Sequence, residues 1–364
     1  MTPATCVIYN PVAGRGRAKK ALEKLPAELR RGVELWPTEG PGHAVDLARA
    51  AADQGFAKVV AAGGDGTVHE VANGVLLSGR RDVVFSTWPL GSANDYAYTL
   101  GLLDWWRCRS PRPPTDTLDV DIGRISGGKG ERYYVNSLGI GFNGMVTVEA
   151  RKIRYLRGVP LYTLSLLIAA VRHFQAPRMW IRFDDEVYDG PTLALTLNLA
   201  QREGGFRLTP AASLSDGLFD YVHATSLTRL ALARHLPGMM SGNLPSCHPN
   251  IRLGRTSRLE VRTNHALCIH ADGEYYCVPA DGVREIAIEI IPARLRVEIY
   301  RPALYGRHRK STQCPPQPAL ALQRRARTVT LSSDSSPDVA ATDDVRSVVR
   351  NLDPAPSEVE IGGF

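Results

Sequence analysis

Nothing in the 364 residues marks an exported, metal-stapled or membrane-spanning chain. The six cysteines (Cys6, Cys108, Cys247, Cys268, Cys277, Cys314) form no Cys-x-x-Cys pair and no zinc-like Cys/His spacing, so they read as reduced thiols. Met1-Thr2-Pro3-Ala4-Thr5 runs into Cys6-Val7-Ile8-Tyr9 without a basic segment and a long apolar one behind it, so no export signal is read. The most apolar later stretch, Leu161 to Val171, is about half of the roughly 20 residues a spanning helix needs. The expectation is a cytoplasmic protein that meets a membrane from one side, peripherally at its inner face. Zinc-finger spacing, aromatic-basic ribonucleoprotein motifs and basic regions followed by heptads are all missing, which excludes nucleic acid as the expected partner. No internal repeat is evident.

What is present fits a folded chain of two domains. The length exceeds what one core usually serves, and 44% hydrophobic with 22% charged residues is an ordinary globular balance. A net charge of +7 calls for a polyanionic partner, and with nucleic acid set aside this leaves a nucleotide and an anionic bilayer. Short apolar runs alternate with helical patterns over the first third: Cys6 to Tyr9, Ala18 to Arg31, Val33 to Trp36, Ala44 to Gln54, Lys58 to Ala62, Thr67 to Leu77, Val83 to Trp88 and Asp95 to Leu100. That alternation predicts an α/β domain with a parallel sheet over residues 1–111. After Arg112-Pro113-Pro114, β-type runs separated by Gly, Asp and Asn turns (Leu118 to Ile125, Arg132 to Ser137, Arg178 to Phe183, Thr192 to Leu199, Leu218 to His223, Arg258 to Thr263 and Ala266 to His270) predict a mainly β, sandwich-like second domain over 112–290. Two helical patterns, Val146 to Arg172 and Leu227 to Met240, interrupt it, and residues 291–302 read as a strand returning to the first domain. Residues 303–364, rich in Pro, Ser, Asp and Arg, read as a disordered tail. The tail holds eight Lys/Arg and seven Asp/Glu, so the positive excess belongs to the body.

Three polar loops follow strands of the first domain, at the sheet edge where open α/β folds bind ligands. In Ala62-Gly63-Gly64-Asp65-Gly66-Thr67, glycines let backbone amides approach a phosphate chain, and the helix that follows adds the positive end of its dipole. Gly-Gly alone equally suits a plain strand-to-helix turn; Asp65 among glycines suggests a carboxylate that faces a metal. The second loop, Asn10-Pro11-Val12-Ala13-Gly14-Arg15-Gly16-Arg17, lacks the Gly-Lys-Ser/Thr closure of a P-loop. The third, Pro89-Leu90-Gly91-Ser92-Ala93-Asn94-Asp95, supplies a hydroxyl, an amide and a carboxylate, one of which is expected to cap the next helix. Arg151, Lys152, Arg154 and Arg157, followed by Leu161, Tyr162, Leu164, Leu166, Leu167 and Ile168, suit either a membrane-facing surface or a core helix with a solvated end. Trp105, Trp106 and Arg107 offer a second interfacial contact; His265 and His270 lack partners at ligand spacing and read as sheet side chains.

In this order and spacing the three loops resemble the diacylglycerol kinase catalytic domain shared by bacterial lipid kinases, sphingosine kinases and ceramide kinases. Ser92 stands where that family usually has Thr. The resemblance continues through Val120-Asp121-Ile122-Gly123, Asn136 to Phe142, Leu214 to Leu218 and Ala271-Asp272-Gly273-Glu274, covering residues 5 to about 301. It implies an ATP- and Mg²⁺-dependent kinase acting on a hydroxyl of diacylglycerol or a related lipid, with a first domain like that of the NAD kinases and diacylglycerol kinases. By resemblance Asn10, Pro11, Val12, Ala13, Gly14, Thr38, Gly64, Asp65, Gly66, Thr67, Val68, His69, Glu70 and Ser92 contact ATP. A structural magnesium falls on Ser213, Asp216 and Leu218, with carbonyls at the outer two; Asp65, Asp121 and Asp272 organise a catalytic one. In Asp272-Gly273-Glu274, two carboxylates flank a flexible glycine, and Glu274 is assigned as the base that accepts the hydroxyl proton. Some relatives are thought to use the glycine-loop aspartate, here Asp65, for that task. NAD kinases and phosphofructokinases share Gly-Gly-Asp-Gly but explain neither Gly-Ser-Ala-Asn-Asp nor Asp-Gly-Glu, and a catalytically inactive lipid-binding relative is the non-enzymatic alternative. A homodimer stays open.

Overall fold

A computed structural model of the chain describes residues 4–24, 27–107, 116–153, 155–245 and 248–300. Arg112-Pro113-Pro114, Arg154, Cys108, Cys247, Cys314, the 303–364 tail and the side chains of Arg15 and Arg17 lie outside the described residues.

The chain begins β1 (Thr5–Tyr9), α1 (Ala13–Glu23), α2 (Ala27–Arg30), β2 (Val33–Pro37), α3 (His43–Asp53), β3 (Lys58–Gly63), α4 (Asp65–Leu77) and β4 (Val84–Pro89). These strands pair in the order β2-β1-β3-β4, all parallel, which puts the three polar loops at one edge. The buried face of α3 is Ala44, Ala48, Ala51 and Ala52, small enough for α4 to lie close; a Cβ on Gly74 of α4 would collide with the Val45 carbonyl. After β4 come α5 (Asp95–Thr99) and α6 (Leu102–Arg107). Trp105 of α6 is buried and Trp106 stacks on Trp88 with ring centroids 5.9 Å apart. The aromatic pair expected at an interface is therefore core, where its large apolar area is better removed from water.

The second domain comprises β5 (Asp116–Gly127), β6 (Gly130–Tyr134), β7 (Ser137–Gly141), α7 (Phe142–Lys152), α8 (Gly158–Arg172), β8 (Arg178–Phe183), β9 (Glu186–Pro191), β10 (Ala194–Asn198), β11 (Phe219–Ala224), α9 (Arg229–Ser241), β12 (Ile251–Thr256), β13 (Arg258–Thr263), β14 (Ile269–Ala271), β15 (Glu274–Cys277) and β16 (Glu285–Ile299). Six of these strands make an antiparallel sheet, β12-β11-β10-β7-β14-β15. It faces a second layer through Tyr134 stacked on Phe219 and Phe183 against Tyr221. That layer is continuous with the parallel sheet. One edge of β16 pairs with β5 along its length; the other pairs antiparallel with β13 over Glu285 to Glu289 and parallel with β4 at Val297. The mainly antiparallel sandwich and the α/β domain thus share one ten-stranded sheet.

Two expected elements divide. Val146 to Arg172 is two helices, because Pro160 has no N–H to donate and its ring would strike the carbonyl of residue 156; Gly158 turns the chain at φ +60°. Arg132 to Ser137 is β6 and β7, which lie in different sheets. Between them, the amides of Val135, Asn136 and Ser137 leave the ladder for the Asp272 carboxylate.

Candidate active site

The glycine loop and the third loop meet backbone to backbone. A Cβ on Gly64 would lie 3.3 Å from the Gly91 Cα, so this close approach depends on both glycines. Helix α4 opens at Gly64 with no side-chain cap, leaving its positive end to an anion. The cap anticipated within Ser92 to Asp95 comes instead from across the site: Asp65 accepts from the amides of Asn94 (3.0 Å) and Asp95 (2.8 Å). Asn94, at φ +53°, closes its own turn onto Gly91. In the second loop Asn10 Oδ1 accepts from the Val12 amide (3.0 Å), with Pro11 and Ala13 half-buried and Gly14 buried. Thr38 stands alongside at the end of β2, its amide donating to the Tyr9 carbonyl.

Helix α4 distributes its predicted contacts over several faces. Asp65 and Gly66 stay at the loop; Thr67 is buried and Val68 lines the central cavity. His69 Nδ1 is 2.9 Å from Asp272 Oδ2, tying the two domains together. Glu70 accepts from the amides of Gly42 and Ala44, capping α3 and holding the loop after Thr38. Ser92 is exposed, its carbonyl beside Gly158 at the start of α8.

The predicted carboxylates differ in how fully they are occupied. Asp272, at φ +53°, accepts from three backbone amides and faces His69. Asp121 accepts from the amides of Gly217 (2.7 Å) and Ala293 (2.8 Å), fastening the 213–218 loop to the bulge in β16. Asp121 therefore belongs with the Ser213 loop rather than beside Asp65 and Asp272. Among the described residues no cluster of three or more His, Cys, Asp or Glu is placed to hold a metal. Glu274 alone has just a side-chain partner among its bonds, Arg151, and its Oε1 lies 3.0 Å from where a Gly66 Cβ would stand. It faces the glycine loop from the other domain.

Burial raises the Asp65 carboxyl above its usual range against the pull of the two amides. Burial, then the Asp65 charge, pushes Asp95 up to about 7, although Arg202 and the Gly205 amide oppose it. Around these groups lies an apolar cavity of about 140 Å³. At one end it reaches Asp65, Asp95 and Asp272, and at the other Leu227, Leu232, Met239 and Leu244 around α9. The hydroxyl of Tyr162, on α8, is 3.9 Å from where a Gly273 Cβ would stand; burial first and the neighbouring carboxylates second raise its pKa, so it remains a donor. Asp95, Tyr162, Glu203 and His270 escaped the sequence reading as site residues. His270 is no plain sheet side chain: its Nε2 lies 3.0 Å from Glu203.

The Ser213–Leu218 turn holds one carboxylate of its own, Asp216, which accepts from the Leu218 amide (3.3 Å) and lies 3.5 Å from Arg255. Asp220 nearby has a buried Oδ2 without a partner, and burial pushes its carboxyl up to about 6. An unsatisfied carboxylate oxygen beside a carbonyl-rich turn suits a hard cation.

Residues 4–112 match the diacylglycerol kinase catalytic domain, and residues 136–299 match the YegS C-terminal NAD kinase beta sandwich-like domain. A diacylglycerol kinase of Mycobacterium tuberculosis is 30% identical over 307 residues, covering 80% of this chain and 93% of the relative. One from Bacillus subtilis is 27% identical over 287 residues, 74% of this chain and 89% of the relative. A crystal structure of a diacylglycerol kinase from Bacillus anthracis superposes with a TM-score of 0.63 at 18% identity, covering 83% of this chain and 98% of that one, which speaks for the fold. With both domains matched in order and the carboxylates and glycine loops in place, the chain belongs to the diacylglycerol kinase family of lipid kinases.

Proposed function

We propose that this enzyme transfers the γ-phosphoryl group of ATP to a hydroxyl of diacylglycerol or a related lipid, with magnesium. The observation that carries this reading is the cavity, which joins the carboxylates at the glycine loop to an apolar interior suited to acyl chains. The amides of Gly64 to Thr67 and the open end of α4 would hold phosphates, with Asn10 to Gly14, Thr38 and Ser92 around the nucleotide. Magnesium at the phosphates would neutralise charge as it builds on the transferring group, and Asp65 is the carboxylate nearest that loop. Asp216, with the Ser213 and Leu218 carbonyls, would hold a structural ion, Asp121 bracing the turn.

Glu274 acts as the base. Asp65, Asp121 and Asp272 are held by backbone amides, whereas Glu274 is bound to one partly exposed guanidinium, that of Arg151, and faces Gly66. The lipid hydroxyl gives its proton to Glu274, its oxygen forms the new bond to the γ-phosphorus, and ADP leaves with the electrons of the broken bond. Glu274→Gln should retain the fold and nucleotide binding and lose roughly 10²- to 10⁴-fold in turnover. Near-normal turnover would remove Glu274 from this role. Phosphate labelled in ATP should pass into a product extractable by organic solvent; label confined to water-soluble product would point to a small-molecule kinase of the NAD kinase type.

The lipid would be drawn from an anionic membrane surface, at the inner face. No helix among the described residues is long and apolar enough to span a bilayer. Helices α8 and α9, which line the cavity through Tyr162, Leu166, Leu232 and Met239, expose Leu167, Val171, Leu230 and Met240 beside Arg172 and Arg229. Apolar side chains among basic ones support a peripheral contact there.

A further inference from the structure

The tight turn Glu203-Gly204-Gly205-Phe206 carries an acidic side chain into a cavity that is otherwise mostly apolar. Glu203 Oε1 accepts from Asn143 Nδ2 (2.7 Å) and lies 3.0 Å from His270 Nε2; Oε2 accepts from Thr196 Oγ1 (2.7 Å). The Gly273 amide donates to His270 Nδ1 (3.3 Å), so the imidazole proton sits on Nε2 and points at Glu203. The cluster also needs Gly139, where a Cβ would strike both His270 and Asn143. Burial alone would raise the Glu203 carboxyl, but these donors outweigh it and hold it below the usual range, hence ionised.

Three donors leave one acceptor position of the carboxylate open, on Oε2. The side chain retains 12% exposure and lines the cavity, so that position is reachable only from within it. A second acceptor lies in the cavity wall: Asn136 is one of the lining residues, and its Oδ1 is buried without a hydrogen-bond partner, while its Nδ2 donates to the Arg202 carbonyl (2.9 Å). Both lie beside the reaction centre, because the Asn136 amide donates to Asp272 and the Gly205 amide to Asp95.

We infer that Glu203 and Asn136 form a subsite for a second hydrogen-bond donor on the acceptor lipid, a hydroxyl or an amine next to the hydroxyl that is phosphorylated. The inference rests on the lipid-kinase reading and narrows its substrate class. A diacylglycerol has a single donor, consumed in the reaction, and would leave both acceptors unmatched. Unmatched buried polar groups disfavour a ligand by roughly 10- to 100-fold.

The test compares kcat/KM for ATP-dependent phosphorylation by the full chain in mixed micelles. Single-donor lipids are 1,2-dioleoylglycerol and oleyl alcohol; double-donor lipids are monooleoylglycerol, which adds a hydroxyl, and sphingosine, which adds an amine. At least one double-donor lipid should exceed both single-donor lipids by roughly tenfold or more, and which one does identifies the donor. Glu203→Gln is nearly isosteric, but its oxygen must serve Asn143 and His270, which turns an NH₂ towards the open position and replaces an acceptor with a donor. It should bring the preference close to unity. A single-donor lipid used as well as the better of the two double-donor lipids would overturn the subsite, as would a preference unchanged within about twofold in Glu203→Gln. The wild-type comparison decides even if that variant does not fold. Transfer to no lipid at all would instead overturn the lipid-kinase reading.

Discussion

Asp95 and Glu203 show how the carboxyl group takes opposite characters in one cavity. Glu203 has three side-chain donors and stays ionised, whereas Asp95 shares the Gly205 amide and a 3.6 Å contact with Arg202 against the charge of Asp65. Its folded-state value of about 7 lies above the ordinary 3.8, so the folded state holds this proton more firmly than the unfolded chain. The associated stability is fully present below about pH 4 and is lost as pH rises towards about 7. Asp95→Asn, which still accepts from Gly205, should therefore gain on the wild type across that interval, by on the order of 4 kcal/mol, and level off above it. Urea midpoints for both proteins between pH 4 and 8 test this; a gain independent of pH would contradict it. Asp65 was legible as a site residue because it sits inside a glycine-rich motif. Glu203 and His270 were not, since 67 residues separate them and only the sheet brings them together.

At the scale of elements, the inner strands of the second domain were readable and its outer strands β9, β12 and β15 were not. The bounds of β8 and β13 coincide with their apolar alternation, whereas β9, β12 and β15 are outer strands of their sheets. In β9 most side chains face water, and β15 is only four residues long, so neither carries the alternation that marks a half-buried strand. Strand β16 is the element that joins the two domains, and a buried ion pair fixes its docking. Glu298 is bonded to Lys58 of β3 and accepts from Ser86 Oγ of β4 (2.6 Å). Glu298→Ala would leave a half-buried ammonium without its partner and should lower unfolding stability by about 3 kcal/mol. Denaturant titration checks this, and a loss under about 1 kcal/mol would show that the parallel junction holds without the pair.

For the whole molecule, the positive excess and the apolar edge of α8 and α9 make membrane contact a question of vesicle composition. Association with vesicles rich in anionic lipid should exceed that with neutral ones and weaken as salt rises. Replacing exposed Leu167 and Val171 by Asp should reduce sedimentation with anionic vesicles about tenfold. Unaltered sedimentation would move the contact to another face.

The amino-acid sequence by itself determined the alternating α/β start, the β-rich second domain, the three polar loops that follow strands and the carboxylates of Asp272-Gly273-Glu274. Those features are local: periodicity and glycine-bearing turns express themselves within a few residues. The tertiary structure decided which carboxylates are occupied. It took Asp121 to the Ser213 turn, spent Glu70 on capping α3, saturated Asp272 with backbone amides and left Glu274 facing the glycine loop. A carboxylate's role depends on the donors that reach it and on its burial, and both are set by strands that are distant in the chain and adjacent in the sheet.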